Sequence, residues 1–304
     1  MKILLFGKNG QVGWELQRSL APLGSVIGLD RHGASSDLVL CGDLADLQGL
    51  ADTVRQVRPD VIVNAAAHTA VDKAESEPEL ARTLNALAPA VLAQEAERLG
   101  AWLVHYSSDY VFDGSGTTPW READAPAPLS AYGRTKLEGE QLIAAHCRRH
   151  LIFRTSWVYA ARGGNFAKTM LRLAQERDRL TVIDDQWGAP TGAELLADVT
   201  AHAIWQVMQD QTRAGKDAGI YHLVAGGETT WHAYASHVIA QAQRLQPAIT
   251  IKTKEVAPVP TSAFPTPAAR PHNSRLSTAK LQATFGLTLP LWQQGVDRML
   301  TEIL

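Results

Sequence analysis

Three glycines spaced three residues apart follow the first apolar segment of the chain, and they constrain the fold more than any other feature. Lys2–Phe6 has the length and composition of a buried strand, and Gly7, Gly10 and Gly13 lie between it and a helical pattern. In such a strand–turn–helix unit, the first glycine permits the tight turn and the second lets backbone N–H groups approach a pyrophosphate. The third allows close packing of helix against strand. The spacing therefore predicts a dinucleotide-binding turn at the start of a parallel sheet.

The first half of the chain alternates short apolar runs with longer helical patterns, which is typical of a parallel sheet with crossover helices. We predict strands at Lys2–Phe6, Ser25–Leu29, Leu38–Cys41, Val61–Asn64, Trp102–Ser107 and Leu151–Thr155. We predict helices at Val12–Leu23, Leu44–Val57, Pro78–Leu99 and Ser130–Arg149. The expected fold is α/β: a Rossmann-type doubly wound parallel sheet formed by residues 1–157, with strands added from later segments.

The second half has a looser pattern and predicts a smaller C-terminal α/β substrate domain at residues 158–304. Its predicted elements are Asn165–Arg177, Leu180–Ile183, Ala193–Met208, Ile220–Leu223, Thr230–Leu245 and Leu291–Ile303. The stretch Ala257–His272 contains five prolines, too many for a helix interior or a central strand, and is predicted to be loop. Because it also holds Phe264 and leads into Arg270, both an ordered wall of a binding cleft and a purely structural excursion stay open.

Composition and charge are those of an ordinary globular protein of enzyme size. Of 304 residues, 45% are hydrophobic, and 29 Lys and Arg nearly balance 31 Asp and Glu, which argues against nucleic acid as a partner. No stretch reaches the ~18 apolar residues of a membrane span, and the apolar run near the start is too short for a signal peptide. Cys41 and Cys147 lack the spacing of a disulfide framework or a structural zinc site, so we expect a cytoplasmic protein.

The end of the second predicted strand bears on which nicotinamide cofactor would bind. Asp30 lies about twenty residues beyond the glycines, where a carboxylate accepts hydrogen bonds from the ribose hydroxyls of NADH. Arg31 comes next, and its guanidinium fits the 2′-phosphate of NADPH, so the preference stays open. Asp43 and Leu44 follow the next predicted strand, within reach of the adenine ring, although Asp43 is also a candidate cap for the helix predicted there.

A serine, a tyrosine and a lysine form the candidate catalytic group. Ser107 and Ser108 end a predicted strand, and Tyr132 and Lys136 stand four residues apart in the next helix, so their side chains share one face. The ammonium is predicted to lower the pKa of the phenol from ~10 toward neutrality, which suits a general acid, while a serine hydroxyl would bind a substrate carbonyl. At another strand end, the small residues Ala65–Ala67 leave room for a ligand or for helix–sheet packing.

Several longer strings resemble the dTDP-4-dehydrorhamnose reductases, a family of the extended short-chain dehydrogenase/reductase superfamily. They are VNAAAHTAVDKAESEP at 63–78, YSSDYVFDG at 106–114, FRTSWVY at 153–159, DDQWGAPTGAELLAD at 184–198 and RPHNSRL at 270–276. The resemblance covers essentially the whole chain. It implies reduction, by NADPH or NADH, of the C4 ketone of dTDP-4-dehydro-6-deoxy-L-mannose to dTDP-L-rhamnose, a step that supplies O-antigen and lipopolysaccharide synthesis.

The resemblance also implies roles for individual residues. Tyr132 would donate a proton to the sugar C4 oxygen, Lys136 would orient the nicotinamide ribose, and Ser108 would take a position where many members have threonine. Sugar contacts are implied at Ser108, Asp109 and Trp157, with core packing as the alternative for the tryptophan. Implied cofactor contacts are Gly10, Gln11, Val12, Asp30, Asp43, Leu44, Ala67, His68, Thr69 and Tyr106.

Charged side chains elsewhere are candidates for binding the rest of the substrate and a metal. Arg270 and Arg275 would neutralise the diphosphate of a nucleotide sugar, with a solvated surface pair as the alternative. In some bacterial members of the family a Mg²⁺ joins two subunits, and the matching positions here are Glu15, Glu194 and Glu302. Single carboxylates on separate helices are usually solvated, so this metal site and the homodimer are the weaker expectation.

A pair of histidines invites a zinc interpretation. His146 and His150 stand four residues apart, but Arg148 and Arg149 between them would repel a cation. At a predicted helix end, His150 suits the helix dipole instead.

Two other functions share much of this pattern. A nucleotide-sugar 4-epimerase or 4,6-dehydratase has the same fold and the Tyr/Lys pair, although a dehydratase would have Glu where Tyr110 stands. A non-catalytic regulatory subunit with this fold is the alternative outside enzymes. The complete set of Ser108, Tyr132 and Lys136 argues against it, because a binding module needs none of them.

Overall fold

The computed structural model describes residues 1–32, 40–209 and 216–304. Its strands are β1 (Lys2–Phe6), β2 (Ser25–Leu29), β3 (Val61–Asn64), β4 (Trp102–Ser108), β5 (His150–Thr155), β6 (Val158–Tyr159), β7 (Arg179–Ile183), β8 (Trp187–Gly188), β9 (Thr191–Gly192), β10 (Gly219–His222), β11 (Thr229–Thr230) and β12 (Glu255–Val259). Its helices are α1 (Gln11–Leu20), α2 (Leu47–Val57), α3 (Val71–Ser76), α4 (Pro78–Arg82), α5 (Ala88–Leu99), α6 (Ala131–His146), α7 (Phe166–Glu176), α8 (Ala193–Gln209), α9 (Trp231–Leu245), α10 (Ala279–Phe285) and α11 (Trp292–Ile303).

The central sheet of the described chain has six strands in the order β10-β5-β4-β3-β1-β2. All neighbouring pairs run parallel. The chain passes from β1 outward to β2 and then returns to β3 on the other side of β1, so the connections diverge between β1 and β3. Open α/β sheets bind their ligands at the carboxyl ends of the strands at such a reversal. The predicted Rossmann-type doubly wound fold is confirmed.

Helices cover both faces of this sheet, as the alternation within β1 shows. Ile3 and Leu5 face one helical layer, formed by α1 and α8, whereas Leu4 and Phe6 face the other, formed by α2, α5 and α6. All four side chains are fully buried. Burying such a side chain contributes ~1.5–3 kcal/mol, which is why a continuous apolar run predicts a strand covered on both sides.

Segments from the second half of the chain extend this sheet and build a further apolar cluster. β10 pairs with β5, and α8 packs on α1. α7 and α11 pack on α9, around a cluster that includes Tyr234, Val238 and Val296. The division of the chain at residue 157 stays a prediction. Nowhere in the described ranges is a helix long and apolar enough to cross a membrane.

Several predicted boundaries are corrected by the structure. The helix predicted from Leu44 begins at Leu47, because the Asp46 carboxylate accepts a hydrogen bond from the Gly49 N–H (2.9 Å) and caps it. Asp43 is not the cap, and its carboxylate accepts from the Ala45 N–H (3.0 Å) in the preceding turn.

Two further predictions concern neighbouring segments of the first half. Of the weak strand predicted at Leu38–Cys41, residues 38 and 39 lie outside the described ranges, and residues 40 and 41 are not in a strand. The helix predicted at Pro78–Leu99 is present as α4, a π-helical stretch at Thr83–Leu87, and α5.

The prediction that Ala257–His272 is entirely loop is wrong at its start. Glu255–Val259 forms β12, which pairs in parallel with β7 and places Pro258 opposite Val182. The two strands form a two-stranded sheet, so each has an open edge, and a proline without an N–H is tolerated there. After β12 the chain has one 3₁₀ turn at Thr261–Ala263 and otherwise no helix or strand before His272.

A buried ion pair fastens α6 to β5. The Arg154 guanidinium donates two hydrogen bonds to the Glu140 carboxylate, at 2.9 Å and 2.6 Å. The side chains are 2% and 1% exposed, and the guanidinium carbon lies 5.0 Å from the centre of the Phe112 ring. Both charges are removed from water, so each depends on the other for compensation.

We expect Glu140→Gln to lower the free energy of unfolding by roughly 3 kcal/mol, because it leaves the buried Arg154 charge without its counter-ion. The matched control is Glu176→Gln, which breaks an exposed pair with Arg172 (2.9 Å) and should cost less than about 0.5 kcal/mol. Urea denaturation of both variants measures the difference. Equal losses of unfolding free energy in the two variants would contradict the conclusion that burial makes the pair of Glu140 and Arg154 the more important one.

Candidate active site

The glycine turn at the end of β1 lies directly against the end of β3. Gly7 has φ +84°, a conformation that favours glycine, and the N–H groups of Gly7 and Lys8 donate to the Leu29 carbonyl at 2.9 Å and 3.1 Å. A Cβ atom on Gly7 would lie 2.8 Å from the Ala66 nitrogen, so no side chain fits there. α1 then begins at Gln11 with no side-chain cap, which leaves its first N–H groups free for an anion.

A cavity of about 650 Å³ opens where this turn meets the carboxyl ends of β3, β4 and β5. Of the predicted site residues, those that line it are Gly7, Gly10, Gln11, Val12, Ala67, Thr69, Tyr106, Ser108, Asp109, Tyr132, Lys136 and Trp157. The predicted cofactor-binding residues outside its lining are Gly13, Asp30, Arg31, Asp43, Leu44 and His68. The free helix N-terminus and the small residues of the wall fit the pyrophosphate of a dinucleotide.

Some predicted cofactor residues have other partners in the structure. The Asp30 carboxylate accepts from the Asn9 amide (2.6 Å) and lies 3.8 Å from the Lys8 ammonium, so it braces the glycine turn. His68, an implied cofactor contact, lies outside the lining of this cavity. Its backbone N–H donates to the Asn85 amide oxygen (2.8 Å), and its ring nitrogen Nε2 lies 3.7 Å from a Glu77 carboxylate oxygen.

α6 brings Tyr132 to the end of β4. The Ser130 hydroxyl caps the helix by accepting from the Gly133 N–H (3.1 Å). A Cβ on Gly133 would lie 2.1 Å from the Tyr110 carbonyl oxygen, so glycine is required for this close approach. Tyr132 interacts through its hydroxyl with Ser108, whose own hydroxyl donates to Asp109 (2.9 Å).

Lys136 lies one turn farther along α6 and points into the sheet. Its side-chain nitrogen Nζ donates to the Tyr106 carbonyl (2.6 Å) and lies 3.2 Å from Nε2 of His105. Burial lowers the pKa of Lys136 to about 8, against the opposing effect of the Glu140 charge. Sequence reasoning did not find His105, since one histidine in an apolar strand gives no signal of its partner.

The prediction that Lys136 lowers the pKa of Tyr132 is wrong. Burial raises the pKa of Tyr132 above its ordinary value, and the nearby Asp109 and Tyr110 raise it further, while the hydrogen bond with Ser108 opposes the shift. Lys136 instead faces His105 and the Tyr106 carbonyl. The phenol therefore keeps its proton at neutral pH.

A second cavity, of about 530 Å³, adjoins the first, and both include Tyr110 and Trp157 in their lining. Trp157 has φ +50°, and its indole stacks on Trp231 with 3.7 Å between ring centroids. Gly188 makes this possible, because a Cβ there would lie 2.7 Å from the indole. Trp157 thus forms part of a cavity wall, and core packing does not describe its position.

Aromatic rings and guanidinium groups line the second cavity. Besides Trp231, they include Phe166, Phe264, Arg177, Arg179 and Arg270. Phe264 belongs to the proline-rich stretch, which is therefore an ordered wall of this cavity. Sequence analysis missed Arg177 and Arg179, because single arginines near a helix end and a strand start are common on protein surfaces.

The two arginines predicted to bind a diphosphate lie in different surroundings. Arg270 faces the second cavity, and its guanidinium donates to the Tyr110 hydroxyl (3.0 Å) and to the Asp72 carboxylate (2.7 Å). Arg275 lies outside the lining, over the Trp187 ring and 3.5 Å from the Glu228 carboxylate. The structure supports a binding position for Arg270 and not for Arg275.

The three predicted metal ligands lie around one cavity. Glu15, Glu194 and Glu302 line a third cavity with Arg18 and Arg298. Burial raises the pKa of Glu194, and the Glu15 charge adds to this. Among the described residues, no group of three or more His, Cys, Asp or Glu side chains is arranged to hold a metal ion. The expected Mg²⁺ site is therefore not supported.

The zinc alternative at His146 and His150 is not supported either, because the described residues contain no group of three or more metal-binding side chains around them. α6 ends at His146, whereas His150 begins β5, so the prediction that His150 sits at a helix end is also wrong. Burial lowers the pKa of His150, which favours the neutral ring.

Comparison with known proteins identifies the family. The family model described as RmlD substrate binding domain matches residues 1–304. A curated dTDP-4-dehydrorhamnose reductase from Shigella flexneri is 61% identical over 303 residues, which cover 100% of this chain and 98% of that protein. The chain belongs to the dTDP-4-dehydrorhamnose reductase family. It is an enzyme, an oxidoreductase, and the resemblance inferred from its sequence strings is confirmed.

Solved structures agree with this assignment. A crystal structure of a dTDP-4-dehydrorhamnose reductase from Clostridium acetobutylicum is 36% identical and superposes with a TM-score of 0.86, covering 100% of this chain and 99% of that one. A dTDP-4-dehydrorhamnose reductase from Bacillus anthracis, solved in complex with NADP, is 33% identical with a TM-score of 0.84 over 99% of each chain. The enzyme therefore has the fold of its family.

Asp109 provides a test of the site's electrostatics that needs no substrate. Burial raises its pKa from 3.8 to about 6, while hydrogen bonds with Ser274 and Ser108 oppose the shift. Because the folded-state pKa is the higher one, the stability contributed by the neutral carboxyl is present below pH 3.8 and is lost as pH rises through about 6. We expect Asp109→Asn to gain stability relative to wild type between pH 4 and 7, on the order of 2 kcal/mol.

Urea denaturation across this pH range measures the gain. Asp113→Asn is the matched control. A hydrogen bond from the Ser115 backbone lowers the pKa of Asp113, so this variant should lose stability relative to wild type rather than gain it. A gain for Asp109→Asn that does not depend on pH would contradict the assignment.

Proposed function

We propose that this enzyme is a cytoplasmic reductase that uses NADPH or NADH to convert the C4 ketone of dTDP-4-dehydro-6-deoxy-L-mannose to dTDP-L-rhamnose. The observation that carries the proposal is that Ser108 and Tyr132 line a dinucleotide-sized cavity, which shares Tyr110 and Trp157 with a second, aromatic cavity. The named activity of the family members, and the NADP complex of one of them, support it.

The cofactor would lie along the first cavity. The free N–H groups at the start of α1 would hold its pyrophosphate beside Gly7 and Gly10, and Lys136 would face its nicotinamide ribose. When bound, the nicotinamide supplies the hydride. The choice between NADPH and NADH depends on Asp30 and Arg31, which flank the glycine turn.

Tyr132 would supply the proton. Its raised pKa keeps the phenol protonated at neutral pH, and the contact with Ser108 would hold the hydroxyl at the wall of the first cavity. As charge develops on the C4 oxygen, the hydroxyls of Ser108 and Tyr132 would stabilise it, and Tyr132 would complete the transfer.

The nucleotide part of the substrate would lie in the second cavity. Trp157 and Trp231 offer stacked aromatic faces for the sugar and base, and Asp109 would contact the sugar. Arg270, Arg177 and Arg179 supply positive charge for the diphosphate, and Arg270 is held in place by Tyr110 and Asp72.

We expect wild-type enzyme to oxidise NADPH or NADH stoichiometrically when dTDP-4-dehydro-6-deoxy-L-mannose is added, and Tyr132→Phe to reduce kcat by about 10²–10⁴-fold, because the proton donor is lost. The absorbance of the reduced nicotinamide measures both. Tyr221→Phe is the control, since that hydroxyl donates to the Asp217 carbonyl (2.8 Å) in the core, outside both cavities.

Sugar conversion with no net loss of reduced nicotinamide would favour the 4-epimerase or dehydratase alternative. Binding of the nucleotide sugar without any conversion would favour a regulatory subunit.

Variants of Arg270 and Arg275 test which of these two arginines binds the diphosphate. We expect Arg270→Gln to raise KM for the nucleotide sugar by about tenfold or more, because a charge-assisted contact contributes roughly 1.5–3 kcal/mol. Arg275→Gln should leave KM nearly unchanged, since Arg275 pairs with Glu228 away from the cavity. Steady-state kinetics with saturating cofactor measure both constants, and equal effects would refute the assigned position of the diphosphate.

A further inference from the structure

A buried chain of polar side chains runs behind the first cavity and ends on Lys136. Asn64 in β3 is the direct partner of His105 in β4, and both side chains are 1% exposed. Nδ2 of Asn64 lies 3.2 Å from Nδ1 of His105, and Nε2 of His105 lies 3.2 Å from Nζ of Lys136. Lys136 in turn donates to the Tyr106 carbonyl. The proposed function gives roles to Lys136 but none to Asn64 or His105.

The backbone fixes which end of the Asn64 amide faces the histidine. The Ala66 N–H donates to Oδ1 of Asn64 (3.1 Å), so the amide oxygen is directed to the backbone and the NH₂ group to His105. An amide NH₂ group donates and cannot accept. Nδ1 of His105 must therefore accept this hydrogen bond, and the single proton of a neutral ring must lie on Nε2.

This tautomer directs a ring N–H at the Lys136 nitrogen. A neutral amine has a lone pair that accepts this hydrogen bond and still donates to the Tyr106 carbonyl. An ammonium has no lone pair, so it would meet the ring N–H donor to donor. Protonation of Lys136 therefore breaks one of two hydrogen bonds: the one from His105 to Lys136 or the one between Asn64 and His105.

Among the described residues, few other charged groups lie around Lys136. Glu140 lies one turn along α6 and favours the ammonium, but it is already paired with Arg154 from β5. Tyr132 precedes it by one turn of α6. Burial lowers the pKa of His105 well below its ordinary value, and Lys136 lowers it further, so the histidine is the neutral partner.

We propose that Asn64 and His105 are positioning residues that act through Lys136, presenting a ring N–H to its nitrogen and so favouring the neutral amine over the ammonium. The pair thereby sets the pH at which Lys136 gains or loses its proton inside the cofactor cavity. The inference about protonation concerns the protein itself, and its catalytic consequence rests on the proposed function.

The tautomer is measured directly by long-range ¹H–¹⁵N NMR of protein labelled in histidine. There are ten histidines in the chain, and the signal that disappears in His105→Gln identifies His105. We expect the Nε2–H form of the neutral ring between pH 7 and 9. The Nδ1–H form or an imidazolium would overturn the proposal.

The protonation of Lys136 is measured by the ¹³Cε shift of labelled lysine, assigned with Lys136→Met. In His105→Gln, the side-chain amide can turn its oxygen toward the ammonium, so we expect the Lys136 titration to move up by about one pH unit, a tenfold change in proton affinity. His202→Gln is the matched control, because His202 lies on α8, where its ring contacts the Phe285 carbonyl (3.1 Å), and its loss should not move the titration. An unchanged titration in His105→Gln would overturn the proposal.

Asn64→Asp gives a second test that also decides the question if His105→Gln does not fold. A carboxylate accepts from both the Ala66 N–H and Nδ1 of His105, so we expect the histidine to switch to the Nδ1–H form. Retention of the Nε2–H form would refute the argument.

In kinetics, the pH profile of reduction should shift in His105→Gln by the same amount as the Lys136 titration, with KM for the nucleotide sugar unchanged. The NMR measurements need no turnover. An inactive wild type with the expected tautomer would therefore contradict the proposed function alone, and an active wild type with the other tautomer would contradict this inference alone.

Discussion

The close contact between the backbone of the glycine turn and the backbone at the end of β3 governs the arrangement of the whole site. A side chain at Gly7 would collide with Ala66, so the two chain segments meet without any side chain between them. The contact lies where the strand order reverses between β1 and β3. It places the free N-terminus of α1 beside the strand ends that carry Ala67 and Ser108, and this creates one continuous cavity.

Polar contacts hold α6 across this cavity. Tyr132, Lys136 and Glu140 follow one another at intervals of one turn, and each meets a different part of the sheet: Ser108, His105 and Arg154. Buried charges and hydroxyl groups are costly unless they are paired, so each contact fixes the rotation of the helix about its axis. Apolar packing alone would restrict that rotation less, since it is not directional.

Desolvation dominates the electrostatics of the site. Burial is the leading cause of the shifted pKa of Asp109, Tyr132, Lys136 and His105, and in every case it favours the neutral form. The motif alone suggests a cation that acidifies a phenol. The folded protein instead keeps the phenol protonated and turns the lysine toward a histidine and a carbonyl oxygen. A protonated phenol at the wall of the first cavity is what the proposed reduction of a ketone would require.

Local sequence determined much of this protein: the glycine turn, the strand cores, the long helices, and the candidate positions Ser108, Tyr132 and Lys136. These follow from spacing and hydrophobic periodicity, which act between neighbours in the chain. Tertiary structure decided what depends on distant partners. Asn64 and His105 meet through strand pairing across 41 residues, and Arg270 reaches Asp72 across 198. Arg275 and His68 look equally functional in the sequence, yet their side chains turn to other partners. Pro258 entered a strand because that strand has an open edge, and spacing in the chain cannot show which strand will be at an edge.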